Sequence, residues 1–197
     1  EKERMNTVVA ANVLVSDGAQ INSKDKNGCT PLYVASGNGR RDIVEHLLAK
    51  GAATNEKTND GLTPLHRAAM LGRTETAKVL VQRMGRENPA LDWKDGQGCT
   101  PLHYASMAGS NDIVELLISN DADVNPKNAH GETPVYLAAV QNHKDTVKLL
   151  ISKGVEVSTI QLAAYAGDLA KVKSFIEKGV SVNAQEGYPL TPLHAAA

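Results

Sequence analysis

The sequence predicts an all-α fold, a solenoid of stacked helix-turn-helix units joined by β-turn or hairpin loops. Three observations carry that expectation. The pair Thr-Pro returns at Thr30, Thr63, Thr100 and Thr133 with a period near 33 residues, and at Thr191 after 58, which is 25 plus 33 when Ser158 to Ala164 counts as a degenerate copy. Each return opens a short run of small and apolar residues, closed at Gly39, Gly72, Gly109 or Asn142 in the first four. A second apolar pattern at helical spacing then follows, for example Ile43, Val44, Leu47 and Leu48. One such unit cannot bury its own apolar face, so neighbours must stack and share a core.

Each element has a local cause. Thr caps a helix by accepting from an orphan backbone N–H. Pro follows at the first helical position, where its missing donor costs nothing. Leu32, Leu65, Leu102 and Val135 then point inward. The small pairs Ala35-Ser36, Ala68-Ala69, Ala105-Ser106 and Ala138-Ala139 allow two helices to approach closely. Gly39, Gly72, Gly109 and Gly167 end the first helix in the left-handed conformation, and Asn142 tolerates the same place. The second helix shows its apolar face at Ile113, Val114, Leu116 and Leu117, and again at Leu169, Val172, Phe175 and Ile176. It ends at Gly51, Gly154 or Gly179; Asp121 stands at that position in one copy, at a local cost in stability. A short extended stretch such as Ala122 to Asn125 leads to a turn, and the cycle restarts.

These marks divide the chain. Residues 25–57, 58–94, 95–127, 128–157 and 158–185 read as copies, with the second half of a copy at 1–24 and the first half at 186–197. The 58–94 copy carries four extra residues, and Gly85 and Pro89 mark them as loop. The 128–157 copy is shortened. Eight residues of the usual turn are missing between Val157 and Ser158, so two sub-arrays meet there with a kink, or a shortened turn joins them. Neither end has a polar cap, which reads as a segment of a longer array.

The phrase Thr-Pro-Leu-His, at 63–66, 100–103 and 191–194, resembles the ankyrin repeat, and the resemblance covers nearly the whole chain. It implies a non-enzymatic scaffold that binds a protein partner on its concave face, through turn tips and first-helix ends. Carried onto this sequence, the tips supply Asn27, Asp60, Leu62, Gln97, His130 and Glu132. The helix ends supply Asn38, Met70, Leu71, Met107, Val140, Gln141 and Tyr165. Leu62, Met70, Leu71, Met107, Val140 and Tyr165 would form an apolar strip; the competing reading packs several of them against neighbouring copies. Trp93, beside the inserted loop, is a second anchor candidate or simply packs that loop down. A resemblance of this kind also fits a structural spacer, or the recognition arm of an enzyme, channel or effector whose active domain lies elsewhere.

Composition narrows the alternatives. The 197 residues are 42% hydrophobic and 22% charged with a net charge of -1, which gives no footprint for nucleic acid. No apolar run is long enough for membrane insertion. Nucleophile-elbow, phosphate-loop, zinc-protease and EF-hand motifs are absent, so no enzyme, cofactor or metal is expected. His66, His103 and His194 share one repeat position, which points to hydrogen bonding in the helix turn. Cys29 and Cys99 sit two copies apart, too far to bridge, and read as free thiols of a reducing, intracellular and cytoplasmic setting, with export as an effector also open. The array is expected to be monomeric.

Overall fold

A computed structural model describes residues 20–85, 89–184 and 191–196. The second helix expected before Gly18 lies outside these residues, as do residues 86–88 of the inserted loop. Among the described residues there are eleven α-helices and no strand. They run as short pairs: α1 (Pro31–Gly37) with α2 (Arg41–Ala49), α3 (Pro64–Met70) with α4 (Thr74–Met84), and α5 (Pro101–Met107) with α6 (Asn111–Ile118). Then come α7 (Pro134–Val140) with α8 (Lys144–Ser152), α9 (Ile160–Ala166) with α10 (Leu169–Glu177), and α11 (Pro192–Ala196).

Caps form as expected at Thr30, Thr63 and Thr133, and Thr159 supplies one in the copy that lacks Thr-Pro. Thr30, Thr63, Thr133 and Thr159 each accept from the backbone N–H three residues on. Asn142 and Asp121 adopt φ of 58° and 69°, the left-handed backbone that glycine takes elsewhere in the array.

The first helices α1, α3, α5 and α7 form one row, and α2, α4, α6 and α8 form a second behind it. The core lies between the rows. Leu32, Leu65, Leu80, Leu102, Ile113, Leu117 and Leu150 are wholly buried there. Small residues of the first helices, such as Ala68, Ala69 and Ala105, are buried as well, which brings the two rows close.

Two places break the regularity. In the inserted loop, α4 stops at Met84 and Gly85 turns with φ 75°. A 3-10 turn at Pro89–Asp92 then buries Leu91 in the core. Asp92 Oδ1 accepts from Asp123 N at 3.0 Å, the same link that Asn22 Oδ1 makes to Ala53 N at 2.9 Å. The detour therefore returns the chain to register.

The second break is the joint between α8 and α9. Elsewhere a first helix packs on the preceding first helix; α9 instead seats mainly against α8, with Val155 and Val157 buried under the joint. Only seven residues separate α8 from α9, against fifteen between α6 and α7. α10 buries none of its residues completely. Val172 and Phe175 pack partly on the core, while Leu169 is 73% and Ile176 44% exposed, against the expectation of a buried apolar face.

Candidate functional site

The loop tips are built by one device repeated. Asp25 Oδ1 accepts from the N–H groups of Asn27 and Cys29, Asp95 Oδ1 from Gln97 and Cys99, and Asn128 Oδ1 from His130 and Glu132. Each tip then bonds to the next through backbone: Asn59 N to Asn27 O at 3.0 Å, Gly96 N to Asp60 O at 2.8 Å, Ala129 N to Gln97 O at 2.9 Å. Glycine is required at this contact. A Cβ on Gly61 would come within 2.9 Å of Gly96 N, in a backbone with φ 83°. The tips are thus a ladder whose backbone is committed and whose side chains are free to face outward.

Histidine fixes the row behind them. Thr63 N donates to His66 Nδ1 at 3.1 Å, so the ring is the tautomer protonated at Nε2, which donates to Cys99 O at 3.1 Å. His103 repeats the pattern between Thr100 N and Glu132 O. Burial lowers the pKa of His66 to about 4 and lowers that of His103 as well, so both rings are neutral struts between adjacent copies. Gln161 stands at the same position in the α9 copy, and its Nε2 donates to Ala184 O at 2.7 Å. Tyr104 donates its hydroxyl to Asp95 Oδ2 at 2.6 Å; burial first, then this carboxylate, pushes the phenol far above its ordinary pKa.

The period, the capped Thr-Pro starts, the histidine struts and the two helix rows are decided together by one comparison. A family model of ankyrin repeats, in three copies, matches residues 4–92 and 84–160. The chain belongs to the ankyrin-repeat family. No curated protein matches it. Ankyrin repeats generally act as protein–protein interaction modules and are typically non-catalytic. No helix among the described residues is long and apolar enough to cross a membrane.

The structure sorts the sequence-derived contact residues. Asn27, Asn38, Asp60, Gln97, His130 and Gln141 are exposed along the ankyrin array. Leu62, Met70, Met107 and Val140 are half-buried, and Leu71 is 39% exposed. Glu132 is half-buried, and its carboxylate accepts from Asn128 Nδ2 at 2.8 Å. Trp93 is half-buried, packs on the core, and carries Lys57 Nζ 5.8 Å from its ring centroid, so its face is already occupied.

Tyr165 is a correction. It is 2% exposed, and its hydroxyl donates to Ala139 O at 2.8 Å. The bond ties α9 to the end of α7 across the joint, so Tyr165 leaves the contact strip. Cys29 and Cys99 are free thiols, as expected, and burial raises the pKa of both.

Sequence reasoning missed Arg67 and Arg73. Arg67 lies across Gly37, whose added Cβ would meet its Nε at 2.8 Å, and its guanidinium stands 5.7 Å from the Tyr33 ring centroid. Arg73 Nε donates to Gly37 O at 2.9 Å. A signal existed: Gly37 occupies the place where other copies carry Met70, Met107 and Val140.

Proposed function

We propose that the array is a scaffold that binds a protein partner on its concave face, across α3, α5 and α7 and the tips before them. One observation carries this reading. Met70, Met107 and Val140 occupy the same place on three successive first helices and are all incompletely buried, and Leu71 next to Met70 is exposed. Methionine adapts to varied partners, and an apolar strip rimmed by polar tips suits a protein surface. The backbone ladder behind it means that little ordering is lost on binding.

The seven copies and part-copies at 1–24, 25–57, 58–94, 95–127, 128–157, 158–185 and 186–197 are the units of this scaffold, and the array works as a monomer. Two free thiols with raised pKa values are suited to a reducing, cytoplasmic setting.

The test is a comparative capture with the wild-type chain and a Met70→Ser, Leu71→Ser, Met107→Ser variant, both checked for folding by circular dichroism. A protein retained by the wild type and lost by the variant supports the concave strip. Equal retention by both sinks it and moves the contact to the backs of the second helices.

A further inference from the structure

We infer that Arg67, with Arg73 beside it, is the point on the concave face that receives an anionic side chain, carboxylate or phosphate, from the bound protein segment. This rests on the concave-face reading and names one chemical requirement of the partner.

Four other cations of the array are neutralised by neighbouring carboxylates. Lys24 pairs with Glu56, Arg40 with Asp42, Arg41 with Glu45 and Glu75, and Lys78 with Glu75. Arg67 and Arg73, like most of the lysines, make no ion pair among the described residues; what distinguishes the two is how they are held. Both are nonetheless held in place, and both rest on the same glycine. Arg67 is seated by the missing Cβ of Gly37, by the Tyr33 ring at 5.7 Å, and by Met70 Sδ, which accepts from its Nη1 at 3.8 Å. Arg73 spends its Nε on Gly37 O at 2.9 Å.

An arginine lying beside an aromatic ring with no carboxylate on its fork is preorganised for an anion, because its guanidinium matches carboxylate and phosphate in two-pronged geometry and the long Met70 Sδ contact is weak enough to give way. Met70 and Leu71 adjoin the pair in sequence, so the anion would sit beside apolar contacts that exclude water and strengthen the charge interaction. Gly37 makes the arrangement specific to this step of the array. Any larger residue there would occupy the seat that Arg67 takes.

The test uses the full 197-residue chain and a phage-displayed library of random linear peptides. Recovered peptides are expected to share an acidic residue at one position. Fluorescence anisotropy then compares each peptide as found, with that residue changed to its amide, and with phosphoserine in its place. Arg67→Gln is expected to weaken the acidic form about tenfold and to leave the amide form unchanged. Gly37→Ala keeps both charges but fills the seat, and is expected to weaken the acidic form as well. The phosphoserine arm tells whether phosphate or carboxylate fits better.

Peptides without acidic enrichment, or an equal effect of Arg67→Gln on both forms, would overturn the inference while leaving the concave-face reading intact. Peptides that bind the Met70→Ser, Leu71→Ser, Met107→Ser variant as well as the wild type would overturn both.

Discussion

At His66 the ring has no solvent exposure, Nδ1 is filled by Thr63 N, and Nε2 is spent on Cys99 O. A second ring proton would displace the Thr63 contact in a desolvated site, which is why the pKa falls to about 4. In the unfolded chain the ring titrates near 6.5. Between those values only the unfolded state takes the proton, so stability is full above pH 6.5 and declines as the pH falls towards 4. From pH 7 to pH 5 the expected loss through His66 is on the order of 2 kcal/mol. His66→Gln removes that slope while keeping a donor like Gln161, so its urea midpoint should change less between the two pH values than the wild-type midpoint. An unchanged slope would show that the ring is not the titrating group. Asp121 makes the opposite kind of prediction. Its φ of 69° suits glycine, so Asp121→Gly should raise stability by about 0.5–1 kcal/mol, visible as a higher thermal midpoint.

At the scale of elements, the helix pairs were legible because each cue acts within a few residues. Thr63 with Pro64 starts α3, and Asn142 turns the chain between α7 and α8 with no help from distant contacts. The seat of α9 was not legible. It depends on where a shortened turn can reach, and the sequence shows the deletion without showing which helix receives the load. Tyr165 was misplaced for the same reason, and Arg67 was missed because its seat is a glycine in the preceding copy. The joint can be tested at Tyr165. Tyr165→Phe loses the hydroxyl bond to Ala139 O and should cost about 1 kcal/mol in urea unfolding. Tyr165→Ser also empties a buried site and should cost about 3–5 kcal/mol, the range for large aromatic truncations in cores. Similar costs for the two would place the ring outside the joint.

For the whole molecule, stability in a stacked array is approximately a sum over units and their nearest interfaces. The α1 to α8 part has two rows of such interfaces, whereas α9 meets the preceding pair mainly through α8. α10 buries no residue completely and leaves Leu169 at 73% and Ile176 at 44% exposure. Opening α10 therefore exposes little new apolar surface, so its free energy of opening should be lower than that of α4 or α6, whose Leu80, Ile113 and Leu117 are wholly buried. Native-state hydrogen exchange should show amides of 169–177 exchanging well before those of 74–84 and 111–118, with 160–166 between them because α9 is held by α8. Leu169→Lys should leave the urea midpoint within about 0.5 kcal/mol of wild type, since that side chain contributes little to the core. If α10 exchanged as slowly as α6, the joint would be transmitting cooperativity through α9, and the array would open as one unit.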